Sequence, residues 1–127
     1  MKKIFVLCIF SNLIFAHGEN VLVPHGGFIR MPAMFHTELV INSNQEFLVY
    51  LMNVNNKEST IKNSSVNIYH SLLTSNKNTI KCSPISDYFK CVSNHPIDIN
   101  KGQLIIKAKR NNEIGNDAIY ELPLNLK

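Results

Sequence analysis

Apolar residues recur at every second position in several short segments of this chain, and clusters of Asn, Ser, Gly or Pro separate these segments. One such segment runs from Phe35 to Ile41, and later ones begin at Val66, Leu104 and Ala118. Phe47 to Met52 is apolar on both faces, as a central strand of a sandwich would be. Because strand side chains alternate between two faces, the pattern predicts β-strands, and no segment shows a sustained helical period. We expect an all-β fold, a Greek-key immunoglobulin-like β-sandwich of about seven strands in a single domain.

Residues 1–16 have the composition of a secretory signal peptide. Lys2 and Lys3 form a basic start, an apolar stretch runs from Ile4 to Phe15 with one polar interruption, and the small Ala16 precedes the expected cleavage site. A membrane-spanning helix needs about 20 apolar residues, so the stretch is too short and we expect no stable membrane anchor. Residues 17–127 are therefore expected to form the mature domain, periplasmic or secreted.

The charge of the chain gives no support for nucleic-acid binding. The formal net charge is +4, and loss of Lys2 and Lys3 with the signal peptide lowers it by two. The remaining lysines are scattered among asparagines and form no stripe that would follow a phosphate backbone. We expect no nucleic acid among the partners.

Two of the three cysteines, Cys82 and Cys91, remain after the expected cleavage. An exported chain meets oxidising conditions, so we expect a disulfide between them. The loop-entropy model gives such a bridge about 2–3 kcal/mol of stabilisation. A two-thiolate metal site is the alternative, although the spacing is not Cys-x-x-Cys.

The start of the expected mature chain concentrates residue types that bind copper. It holds three of the five histidines and two of the four methionines: His17, His25, His36, Met31 and Met34. Imidazole suits Cu(II), and thioether together with imidazole suits Cu(I). The segment therefore predicts a metal site that binds a copper ion.

His17 acquires a special chemistry if cleavage follows Ala16. Its free α-amino group and its imidazole can then chelate one ion, and a second imidazole from His25 or His36 would complete a histidine brace. Tetragonal nitrogen ligation of this kind favours Cu(II). The alternative is that His17 is an ordinary frayed terminal residue.

Glu38 follows His36 by two residues, so on a strand both side chains point to one face, together with Met34. Both can be metal ligands, or one can orient the other as a ligand. The alternative is a polar strand face in contact with solvent.

His25 lies in a Pro-His-Gly-Gly turn, where the glycines permit backbone angles closed to other residues. That turn either carries a ligand or is a plain tight turn.

The other histidines and the known catalytic motifs point away from an enzyme. His70 falls on the apolar face of its expected strand, which predicts a hydrogen-bonded core histidine, and His95 is expected in a loop. The chain contains no Gly-x-Ser-x-Gly and no His-Glu-x-x-His motif. We therefore expect binding and no catalytic turnover.

The segment from Pro24-His25-Gly26-Gly27 to Phe35-His36-Thr37-Glu38-Leu39 resembles small exported bacterial proteins with an HGG…H-x-E signature. These proteins are associated with copper and other heavy-metal efflux or resistance systems. The expected terminal histidine and sandwich also look like the CopC-type periplasmic copper carriers. The resemblance implies binding, buffering or delivery of copper to an efflux or resistance partner, with His25, His36 and Glu38 in the site, and His17 if cleavage is as expected.

A second interpretation comes from a different class of protein. An exported β-sandwich interaction module, such as an envelope-complex subunit or an adhesin, would use the Gly-Gly pair as a turn and would bind no metal. A copper oxygenase with a histidine brace is a third interpretation, but the expected mature domain offers little surface for a polymeric substrate.

Overall fold

The computed structural model describes residues 23–72 and 77–124, and this part of the chain is all-β and contains no helix. The prediction of an all-β fold is confirmed. The expected signal peptide and His17 lie outside the described residues. The strands are β1 (Phe28–Arg30), β2 (His36–Ile41), β3 (Glu46–Met52), β4 (Ser65–Ser71), β5 (Lys77–Ile85), β6 (Tyr88–Val92), β7 (Gln103–Arg110), β8 (Glu113–Ile114) and β9 (Ala118–Glu121).

The strands form one antiparallel sheet that curls until it is nearly barrel-shaped. Their order is β1-β2-β3-β6-β5-β4-β7-β8, and β9 also pairs with β7. β5 joins the two halves of the sheet, because residues 77–80 pair with β4 and residues 81–85 pair with β6. The described residues form nine strands where about seven are expected, in part because β1 and β8 have only three and two residues, too few to show alternation.

The core lies between the two halves of the sheet and is built from every second residue of the longer strands. β3 contributes Phe47, Val49 and Leu51, and β4 and β7 contribute matching rows of aliphatic side chains. Burial of these side chains supplies the main driving force for folding. The remaining members of the apolar core are Phe35, Leu39, Val66, Ile68, Ile80, Phe89, Cys91, Ile97, Leu104, Ile106, Ala108, Ala118 and Tyr120.

Side chains connect β9 to β1 and β2, where the described residues form no strand pairing. The buried Tyr120 hydroxyl lies 2.8 Å from Thr37 Oγ1 and 3.1 Å from the carbonyl oxygens of Phe28 and Thr37. Arg30 donates from Nε to the Ile119 carbonyl at 3.0 Å, and its guanidinium lies over the Tyr120 ring. Desolvation raises the pKa of Tyr120 well above its ordinary value. Tyr120 is therefore a neutral, hydrogen-bonded latch between the edges of the sheet.

The cysteine prediction is confirmed. Cys82 and Cys91 are directly opposite in the β5–β6 pair, and their sulfur atoms are at the 2.02 Å distance of a disulfide. The bridge lies just after the point at which β5 leaves β4. His70 is buried and its Nε2 lies 3.0 Å from the Lys101 carbonyl oxygen, as expected of a core histidine. His95 is exposed in a loop.

Tyr120→Phe tests the latch. Loss of the hydroxyl leaves the buried Thr37 side chain without this partner, so the free energy of unfolding should fall by about 1–3 kcal/mol in urea titrations. Tyr69→Phe, at a half-buried position on β4, is the matched control and should change stability by less than about 0.5 kcal/mol. Equal stability of the two variants would show that the hydroxyl does not hold the edges together.

Candidate functional site

The Glu38 carboxylate lies on the outer face of β2 and yet is fully buried, with 0% of its side chain exposed. Its neighbours Thr37 and Leu39 point into the interior of the sheet, so strand alternation directs Glu38 outward. There the turn of residues 24–27 covers it. Oε2 accepts hydrogen bonds from the backbone N–H groups of His25 and Gly27, both at 2.9 Å, and Oε1 lies 2.7 Å from Nδ1 of the His25 ring. The carboxylate thus fastens the turn to the sheet.

The two glycines are required by the geometry of this turn. Gly26 has a φ of 73°, in the left-handed region that favours glycine. At Gly27, a Cβ atom would lie 2.3 Å from the Leu39 carbonyl oxygen, so the backbone can approach β2 only without a side chain. The His-Gly-Gly sequence therefore lets a turn pack its backbone directly against β2.

The imidazole of His25 is also held by an aromatic neighbour. It stacks on Tyr50 with ring centroids 3.6 Å apart and ring planes 6° from parallel. Tyr50 is directly opposite Glu38 in the β2–β3 pair, and the Tyr88 ring lies 5.1 Å from the Tyr50 ring. Burial raises the pKa of Tyr50, and Tyr88, Asp87 and Glu38 raise it further. The phenol is therefore neutral at neutral pH and presents an aromatic face to His25.

His36 begins β2 and lies on the same outer face as Glu38. Two residues of a strand span about 7 Å, so the backbone of His36 lies about that far along β2 from Glu38, which His25 contacts. Its Nδ1 is hydrogen-bonded to Asn56 Oδ1. Directly opposite His36 in the β2–β3 pair is Met52, which is buried.

The loop that carries Asn56 is held in place from the other half of the sheet. Arg110 of β7 donates from Nε to the Leu51 carbonyl at 3.1 Å and from a terminal nitrogen to the Glu58 carbonyl at 3.0 Å. Asn56 itself has a φ of 57° and donates its backbone N–H to the Asn53 carbonyl. Arg110 of β7 thus flanks the loop that carries the hydrogen-bond partner of His36.

Both imidazoles have the same hydrogen-bonding arrangement. Their Nδ1 atoms face oxygens, a carboxylate for His25 and an amide for His36, which assigns the ring proton to Nδ1. In the described part of the chain neither Nε2 atom has a hydrogen-bond partner, and 34% of the His25 side chain is exposed. With Nδ1 engaged in this way, Nε2 is the ring nitrogen that each imidazole leaves available near the outer face of β2.

The methionines of the predicted site lie in the loop between β1 and β2. Met31 is 54% exposed and Met34 is 69% exposed. The loop is tied to the segment after β8, since Asn116 donates its N–H to the Pro32 carbonyl at 2.9 Å. Among residues 23–72 and 77–124, no group of three or more His, Cys, Asp or Glu side chains is arranged to hold a metal ion.

The sequence patterns did not identify three residues of this site, which are Tyr50, Met52 and Asn56. The symmetry of a hairpin centred on residues 42–46 would have placed Tyr50 opposite Glu38 and Met52 opposite His36. Asn56 has no such signal, because it lies in the loop after β3, beyond the register of the hairpin. The structure brings His25 and Glu38 together and places His36 on the same face, while His17 lies outside the described residues.

Comparisons with known proteins do not extend this description. No protein-family model, curated protein or solved structure matches the chain. In the described residues, no helix is long and apolar enough to cross a membrane.

Glu38→Gln tests the fastening of the turn. A neutral amide cannot accept from three donors as the carboxylate does, so the free energy of unfolding should fall by about 1–3 kcal/mol in urea titrations. Glu46→Gln is the matched control, since Glu46 also lies on an outer strand position but is part-exposed and pairs with Lys90. The control should unfold at close to the wild-type urea concentration. If both variants do so, the carboxylate does not stabilise the turn.

Proposed function

We propose that the mature protein binds a copper ion outside the cytoplasm and buffers or delivers it, with Nε2 of His25 and Nε2 of His36 as the first two ligands. One observation carries this proposal: each ring is fixed by an oxygen at Nδ1, which leaves Nε2 available. Metal-binding histidines almost always donate their other ring N–H to a carboxylate, carbonyl or water in this way. Glu38 then orients a ligand, because its own oxygens are already engaged with the turn.

The remaining ligands come from groups other than carboxylates. The exposed thioethers of Met31 and Met34 lie on the loop that leads into His36 and suit Cu(I). The amine and ring of His17 would add nitrogen ligands if cleavage follows Ala16. Such a set is consistent with the finding that residues 23–72 and 77–124 contain no three-membered His, Cys, Asp or Glu group suited to a metal.

The setting of this function is part of the proposal. The Cys82–Cys91 disulfide suits an oxidising compartment, where a signal peptide of residues 1–16 would deliver the protein. A heavy-metal efflux or copper-resistance protein would receive the ion, and no catalytic turnover is involved. We also propose that the all-β fold is a Greek-key immunoglobulin-like sandwich of the CopC type.

A second function, an exported interaction module without metal, has one observation in its favour. The hydrogen bonds of Glu38 and the close approach of Gly27 to β2 give the His-Gly-Gly turn and Glu38 a purely structural reason to occur together. On this account the outer face of β2 and β3 would be part of a protein–protein contact.

Copper titration of the mature protein distinguishes these functions. We expect His25→Ala and His36→Ala each to weaken copper binding by at least about tenfold, because each removes one ligand nitrogen; a well-supported ligand is worth this much or more. His95→Ala is the control, since His95 is an exposed loop histidine, and should bind as the wild type does. Cu(II) and Cu(I) are titrated separately, and mass spectrometry fixes the N-terminus of the protein used.

Two outcomes would contradict the copper proposal. Tight binding that survives both site substitutions would place the ion elsewhere on the chain. A correctly processed protein that retains neither copper ion would favour the interaction module.

A further inference from the structure

The His25 ring is part-exposed and makes a face-to-face aromatic contact with Tyr50. Its plane is only 6° from that of Tyr50 and the centroids are 3.6 Å apart, so the two rings overlap face to face. The face of an aromatic ring carries negative charge density and attracts a cation or a cationic ring. An imidazole that is bound to a metal ion becomes electron-poor, and the attraction to Tyr50 then increases with the charge of the ion.

The Glu38 carboxylate adds a second charge-dependent contribution. It is fully buried, and its oxygen lies 2.7 Å from the ring atom opposite Nε2. In the described part of the chain no lysine or arginine forms an ion pair with it. A buried charge interacts more strongly with nearby charges than one in water, and its attraction to an ion is proportional to the ionic charge. A divalent ion at Nε2 therefore gains more from Glu38 than a monovalent one.

We propose that Tyr50 and Glu38 make the His25 side of the site selective for a divalent ion, Cu(II) or Zn(II), over Cu(I). This inference rests on the proposed function, since it assumes that His25 Nε2 is a ligand. Tyr50 acts as a specificity-determining residue without touching the ion. The exposed thioethers of Met31 and Met34 are the groups that suit Cu(I), and they are not part of the stack between His25 and Tyr50.

The test compares three ions on variants of Tyr50. The mature protein is titrated with Cu(II), Zn(II) and, under anaerobic reducing conditions, Cu(I). Tyr50→Leu should lower the affinity for Cu(II) and Zn(II) about tenfold, and that for Cu(I) only about threefold, because a single charge loses half of the attraction. Tyr50→Phe keeps the aromatic face and should retain wild-type selectivity. Tyr69→Leu, on β4, is the control for removal of a tyrosine from a strand.

The outcomes separate this inference from the function on which it rests. Equal losses for all three ions, or no loss for any, would overturn the selectivity while leaving the copper site intact. A wild-type protein that binds none of the three ions would overturn the proposed function itself. If Tyr50→Leu does not fold, Glu38→Gln provides a second comparison. It removes the charge and also weakens the turn that holds His25, which lowers the affinity for every ion, so the readout is the ratio of the Cu(II) affinity to the Cu(I) affinity. This ratio should fall, and an unchanged ratio would contradict the inference.

Discussion

The candidate site depends on one buried carboxylate. A charge without hydrogen-bond partners is costly to remove from water, and Glu38 avoids this cost with three donors that all come from one short turn. The turn cannot move away from β2 without leaving the carboxylate unpaired in an apolar setting. His25 is therefore not a mobile residue near the end of a chain: its backbone, its ring nitrogen and its ring face are each fixed.

β2 connects this turn to the rest of the fold. On the inner face of β2, Thr37 is hydrogen-bonded to Tyr120, the latch that joins β9 to β1 and β2. On the outer face, Glu38 holds the turn of residues 24–27. Because adjacent residues of one strand serve the two faces, a shift of β2 by one residue would disrupt both. His36 is fixed separately, through its hydrogen bond to Asn56 in the loop after β3, and Arg110 of β7 flanks that loop. The two imidazoles are thus positioned by different parts of the sheet.

Much of this fold could be predicted from alternation of apolar residues, and the remainder could not for identifiable reasons. β2, β4 and β7 carry clear alternation and β3 is a continuous apolar run, whereas in β5 Ile80 alone is fully buried and the strand changes partners halfway. The outward direction of Glu38 also followed from strand period. Its contact with His25, thirteen residues earlier, did not, because a turn that folds back over a strand is a tertiary contact with no local signal.

In the proposed copper site, Glu38 holds the His25 ring with the proton on Nδ1 and leaves Nε2 as the ligand of the ion. Nitrogen NMR of the imidazole rings tests it most directly, with Zn(II) as a diamagnetic probe. At a pH where the rings are neutral, we expect the His25 proton on Nδ1, and addition of Zn(II) should shift the Nε2 resonances of His25 and His36 while those of His95 stay unchanged. A proton on Nε2 of His25, or His25 and His36 resonances that do not respond to Zn(II), would contradict the account.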